Sequence, residues 1–127
     1  MHVNSAKELD VYKLSYDQAM EIFNLTRSFP KDEQYSLTSQ SCRASRSVCA
    51  NLREAWAKRR YIAHFKSKLT DCDGENAETE TWIDFAKDCN YLTPDIHSRM
   101  IERNQHIGSM LGTMISKAET FCQPDKI

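Results

Sequence analysis

The stretch Leu69–Trp82, LTDCDGENAETETW, holds five carboxylates and a glycine, the kind of composition that grips a hard cation through oxygen ligands. A calcium loop of the EF-hand type needs oxygen donors at its first, third and fifth positions before an obligatory glycine at the sixth. With Gly74 as that glycine the first position falls on Leu69, which offers no ligand atom. The stretch is then an acidic, solvated surface and no metal site is assigned.

Other chemistries fail on spacing as well. A carboxylate-bridged di-metal centre in a helical core requires Glu-x-x-His pairs on facing helices. Glu102 and His106 form one isolated pair four residues apart, and neither His64 nor His97 has a carboxylate three residues before it. No nucleophile elbow, phosphate loop or glycine-rich cradle is present. Cys42, Cys49, Cys72, Cys89 and Cys122 never approach a C-x-x-C spacing, so they read as buried thiols, not as zinc ligands or a disulfide framework. No catalytic, cofactor-binding or metal-ligating residue is assigned, and a non-enzymatic protein without a cofactor or small-molecule substrate is expected.

One cluster survives. Between residues 43 and 68 eight Lys/Arg stand against the lone Glu54, enough to contact several phosphates if they share a face. Arg43, Arg46 and Arg53 do share a helical face by spacing, and Lys58, Arg59 and Arg60 follow closely. Trp56 and Tyr61 are near enough to stack on unpaired bases. These six cations form the candidate RNA- or DNA-binding set. The competing reading pairs the same arginines with the seven acids from Asp71 to Asp88, within or between subunits. It draws on the charge asymmetry of the chain: residues 1–68 carry 12 Lys/Arg and 7 Asp/Glu, residues 69–127 carry 5 and 11.

The elements that position these residues follow from periodicity. With 127 residues one domain spanning 1–127 is expected, and only three glycines and three prolines favour long helices over sheets. A first helix shows an apolar row through Leu9, Tyr12, Tyr16, Ala19 or Met20, and Phe23, ending near Arg27. Pro30, Asp32 and Glu33 announce a second helix from about Lys31 to Ala57, with Tyr35, Cys42, Cys49 and Trp56 recurring every seven residues. Its many small residues predict a second buried face, covered by another subunit. After a turn at Lys58–Arg60, the series Ile62, Phe65, Leu69, Cys72, Asn76, Thr79, Ile83 and Ala86 keeps one helical phase straight through the acidic stretch, so a third helix runs from about Tyr61 to Cys89. Asn90 serves as its left-handed terminus, and Thr93 with Pro94 starts a last helix carrying Ile96, Met100, Ile107, Met110 or Leu111, Met114, Ala118 and Phe121. Four helices of roughly 23–29 residues with short connections predict an all-α, antiparallel, up-down-up-down four-helix bundle. No long apolar run and no signal-peptide layout occur, which predicts a cytoplasmic protein that does not engage a membrane.

Phe29–Trp56 resembles the signature F-P-x-x-E-x-Y-x-L-x-x-Q-x-x-R-A-x-x-S-x-x-x-N-I-A-E of the small bacterial 23S rRNA intervening-sequence proteins. Matching positions are Phe29, Pro30, Glu33, Tyr35, Leu37, Gln40, Arg43, Ala44, Ser47, Asn51, Leu52 and Glu54. Ala77–Leu92 is similar to a second block, A-E-x-x-x-x-L-x-x-A-x-x-x-G-Y-L, with Asn90 in place of the glycine. The resemblance implies an antiparallel four-helix bundle that assembles as a homopentamer and has no known catalytic activity. Distant relatives act as pentameric nucleic-acid-binding accessory proteins beside reverse transcriptases. Here Arg53 replaces the usual alanine, and Glu54, Ala55, Trp56 and Ala57 stand where many members have E-G-x-G.

Overall fold

The computed structural model describes residues 3–122. Four long helices and one short one make up the described chain, with no strand among these residues: α1 (Asp10–Thr26), α2 (Leu37–Ala57), α3 (Ile62–Asp88), α4 (Pro94–Ser116) and α5 (Ala118–Phe121). Single 3₁₀ turns at Ala6–Glu8 and Lys31–Glu33 precede α1 and α2. α2 packs most extensively on α3, α3 also packs on α4, and α1 lies against α2 and, less extensively, against α4.

α3 is continuous from Ile62 to Asp88, as its unbroken phase predicts, and Phe65, Leu69, Cys72, Asn76, Thr79, Ile83 and Ala86 are all buried. Its end is closed by Asn90 at φ 65°, with Tyr91 N–H donating to Ala86 O at 2.8 Å and Asn90 N–H to Lys87 O at 2.9 Å. Those two bonds satisfy carbonyls that the last helical turn leaves without partners, and asparagine is the side chain that best tolerates this conformation after glycine. Thr93 Oγ1 accepts from Ile96 N–H at 3.2 Å and Pro94 occupies the first turn of α4.

Several expectations are corrected. The second helix does not begin at Lys31, because Ser36 (φ −123°, ψ −100°) interrupts the chain between the 3₁₀ turn and α2. Ser36 Oγ donates to Glu33 Oε1 at 2.7 Å and Tyr91 Oη to Glu33 Oε2 at 2.9 Å, which holds that turn toward the start of α4. Tyr35 is consequently 87% exposed, so the seven-residue row headed by it is not the core seam. The buried row of α2 is Leu37, Ser41, Ala44, Ser45, Val48, Cys49, Leu52 and Ala55. The last helix breaks at Lys117 (φ −112°, ψ 30°), and the α5 turn brings Phe121 within 6.1 Å of Phe65, centroid to centroid. Ile62 heads the predicted α3 row but is 41% exposed at the helix start.

The largest correction concerns α1. Its buried residues are Val11, Ser15, Gln18, Ala19, Ile22 and Thr26, whereas Tyr16 and Met20 are 51% and 45% exposed. The polar side chains go inward because they complete a hydrogen-bonded layer between two apolar clusters, one around Leu52, Phe65, Leu69 and Leu111, the other around Ile22, Leu37, Ile83 and Met100. Gln18 Nε2 donates to Met100 O at 2.9 Å and also to Asn104 Oδ1. Asn104 Nδ2 donates to Asn76 O and Oδ1 at 2.9 and 3.1 Å, and Asn76 Nδ2 returns a bond to Asn104 O at 2.9 Å. At the edge of the layer Arg103 Nη1 reaches Gln18 Oε1 and Glu21 Oε1, each at 2.7 Å. Buried amides are tolerated when their donors and acceptors are met in this way.

Burial also governs the thiols. Desolvation pushes Cys49 up to about 11 and Cys72 to about 12, while Cys89 is exposed and Cys42 half-buried. The expectation of buried thiols therefore holds for Cys49, Cys72 and Cys122 and fails for Cys89.

Candidate nucleic-acid interface

The six candidate cations all belong to α2 and the turn that follows it, but they do not form one free basic face. Arg43 is exposed yet already engaged with α3, its Nη2 lying 2.5 Å from Glu78 Oε1 and its Nη1 3.4 Å from Glu75. Hydrogen bonding to the guanidinium holds the Glu78 carboxyl below the usual carboxylate range and raises Arg43 in turn. Arg43 thus follows the pairing reading and is spent on the α2–α3 contact.

Arg46 and Arg53, one heptad apart, make no ion pair among the described residues. Each guanidinium lies against an aromatic ring of α1, Arg46 at 5.6 Å from the Phe23 centroid and Arg53 at 5.9 Å from that of Tyr12. Together with Tyr12, Tyr16, Ala19, Met20, Cys49 and Ala50 they line an open groove of about 360 Å³ between α1 and α2. A neighbouring hollow adds Lys7 and Lys13 to this rim, with Asp17 beside them. These lysines were not assigned from the sequence. They stand 39 and 40 positions before Arg46 and Arg53 in the sequence (46 − 7 and 53 − 13), and only the α1–α2 packing brings them near.

Lys58, Arg59 and Arg60 occupy the α2–α3 turn. Arg59 stacks at 3.7 Å over Trp56 and donates from Nε to Trp56 O at 2.9 Å, which fixes its plane. Lys58 and Arg60 are exposed without an ion pair among the described residues, and exposed Tyr61 lies edge-on to His64 at 5.3 Å between centroids. Lys68, further along α3, is bridged to Glu54 at 3.6 Å and Asp71 at 3.4 Å. The geometry therefore offers two separate basic features, a groove with two arginines and a turn with three cations.

No group of three or more His, Cys, Asp or Glu side chains gathers into a metal-binding arrangement among the described residues. No described helix is long and apolar enough to cross a membrane.

The engaged carboxylates give a pH dependence. Glu78 is lowered by Arg43, and Glu33 is lowered by hydrogen bonds from Ser36 and Tyr91. A carboxylate whose folded pKa is depressed stabilises the fold above its unfolded value, and that contribution disappears as pH falls through the folded value. Resistance to urea is expected to decline as pH drops below about 4.5, the ordinary carboxylate value. Because the Arg43 pair is solvated its share is small, no more than about 1 kcal/mol. Urea titrations followed by circular dichroism at a series of acid pH values, on the wild type and Arg43→Ala, measure that share as the difference in slope.

Comparison with known proteins agrees with this architecture. No curated protein matches the chain. A crystal structure of a protein with unknown function from the S23 ribosomal protein family of Bacteroides thetaiotaomicron is similar at a TM-score of 0.76 and 26% identity, covering 84% of this chain and 95% of its own. The family model described as 23S rRNA-intervening sequence protein matches residues 7–113, from the turn before α1 nearly to the end of α4. The chain belongs to the 23S rRNA-intervening sequence protein family.

Proposed function

We propose that the protein is a non-catalytic, self-associating scaffold or adaptor: a single antiparallel up-down-up-down four-helix bundle that acts in the cytoplasm as a homopentamer. The observation that carries this reading is the outward face of α1, where Tyr16 and Met20 sit exposed beside the half-buried Tyr12 and Phe23 and border the groove against α2. Large apolar side chains turned to solvent at Tyr16 and Met20, while Ser15 and Gln18 turn inward, support a surface covered by another copy. Light scattering after size exclusion is expected to give about five times the chain mass of 14.7 kDa. A strict monomer would overturn the reading.

A second reading, binding of RNA or DNA, is favoured by the basic turn with its stacked Arg59 and exposed Tyr61, and by the ribosomal family name of the structural neighbour. The cations available to it are Arg46, Arg53, Lys58, Arg59 and Arg60, with Arg43 engaged elsewhere. Filter binding to single-stranded RNA is expected to weaken as salt rises. Each phosphate contact removed lowers the log–log salt slope by about 0.7 for a single strand, so Lys58→Ala with Arg60→Ala is expected to reduce it by roughly 1.4. Arg43→Ala is expected to leave the slope unchanged. Absence of salt-sensitive binding in the micromolar range removes this reading.

A further inference from the structure

The outward side of α3 from Asp71 to Asp88 is acidic and the groove between α1 and α2 is basic and aromatic, yet they sit on different helices of one subunit. We infer that the groove receives the outward face of α3 from a second copy of the chain, so that subunits join head to tail. This rests on the self-association reading and specifies which surfaces meet.

The groove is concave and carries two guanidinium groups, Arg46 and Arg53, that pair with no carboxylate among the described residues. Its occupant must therefore be acidic and must present a low surface to the walls formed by Tyr12, Tyr16 and Met20. Between Asp71 and Asp88, α3 carries seven carboxylates against the single Lys87. Its outermost row, opposite the buried one, is Ser67, Thr70, Gly74, Ala77 and Thr81, all exposed and all small. Asp71 and Glu78 flank that row seven residues apart, the same separation as Arg46 and Arg53, so both pairs span about 10 Å along their helices. Asp71 and Glu78 already touch Lys68 and Arg43 within the subunit, but a carboxylate has acceptor positions for more than one donor.

Gly74 supplies an independent reason. It lies mid-helix, where glycine is the poorest helix former after proline, and a Cβ placed on it would meet nothing within 4 Å. No neighbour inside the subunit requires its missing side chain. Gly108, by contrast, faces α3, where such a Cβ would come into ordinary contact with Asn76 Nδ2 at 3.6 Å and Asp73 Oδ1 at 3.9 Å. Gly112 is as open as Gly74, but α4 carries no carboxylate between His106 and Ala118 to meet the arginines. Gly74, open to solvent within the subunit, leaves room for the close approach of a second chain.

Because groove and ridge are different surfaces, the contact is heterologous and propagates into a ring or a filament, never stopping at a two-fold dimer. Two variants separate the surfaces: Gly74→Trp blocks the ridge and leaves the groove intact, while Arg46→Glu with Arg53→Glu reverses the groove and leaves the ridge intact. All three positions are exposed, and circular dichroism checks that each variant keeps wild-type helicity. In sedimentation velocity at high protein concentration each variant alone is expected to be monomeric. An equimolar mixture is expected to form a dimer that grows no further, since it contains one working groove and one working ridge. Variants that still assemble like the wild type, or a mixture that stays monomeric, would overturn the head-to-tail contact while self-association stands. A monomeric wild type removes both.

Discussion

Phe65→Ala is expected to lower the free energy of unfolding by about 3–5 kcal/mol, a large share of the roughly 5–15 kcal/mol that holds a domain of ordinary stability together. Phe65 is 0% exposed, lies 6.1 Å from the Phe121 ring, and belongs to the larger apolar cluster with Leu52, Leu69 and Leu111. Truncation removes the transfer energy of a ring and leaves a void among side chains drawn from α2, α3, α4 and α5, which cannot all collapse into it. Ile62→Ala, one turn earlier in the same helical phase, is expected to cost only about 1 kcal/mol, because that side chain is 41% exposed and leaves no enclosed void. Urea unfolding followed at 222 nm compares the two. Equal costs at both positions would show that the helix start is packed differently.

Asn104→Leu is expected to destabilise by about 2 kcal/mol even though the replacement is close in shape and more apolar. It strips Gln18 of one acceptor and leaves Asn76 Oδ1 without its donor, both in a buried layer. Each stranded group costs about 1–3 kcal/mol, against about 1.5–3 kcal/mol gained by burying the leucine. Replacing Gln18, Asn76 and Asn104 together by leucine strands no side-chain amide, because all three partners are removed at once. That triple variant is expected to recover stability to near the wild-type level, with Arg103 keeping Glu21 at 2.7 Å. It loses the directional hydrogen bonds that tie α1, α3 and α4 into one axial alignment, so its amide NMR spectrum is expected to broaden or double. A triple variant less stable than Asn104→Leu alone would mean that the layer stabilises the fold outright.

The contrast between α3 and α1 shows where sequence reasoning reaches and where it stops. In α3 the buried row stays in phase through Cys72, Asn76 and Thr79, so spacing alone identifies the helix and its inward side. In α1 the apolar row Leu9, Tyr12, Tyr16, Ala19 or Met20, and Phe23 meets the interior at Ala19 alone, while Val11, Ser15, Gln18 and Ile22 fill the rest. Gln18 is stable there because of Met100 and Asn104, more than eighty residues away, and no local pattern encodes that partnership. The caps at Asn90 and Thr93 are local chemistry and could be read directly. The six cations lie on the second helix and the turn after it, as their positions predict, but one-dimensional spacing groups Arg43 with Arg46 and Arg53. The α2–α3 packing assigns it to Glu75 and Glu78, and the α1–α2 packing adds the lysines of the first turns.

The uneven packing around the four long helices has a consequence for how the molecule breathes. α2 and α3 share the broadest contact, whereas α1 meets α4 across the narrowest one between packed long helices, bridged by Gln18, Glu21, Arg99 and Arg103. Charged and amide contacts rehydrate without the penalty that bare hydrocarbon suffers, so the α1–α4 seam is the cheapest place for the fold to open. Hydrogen exchange would then sort the chain into two cooperative units, with α1 exchanging through partial opening and the α2–α3 pair only through global unfolding. A bundle that parts along that line can present the outer side of α1 at varying angles while its central hairpin stays rigid.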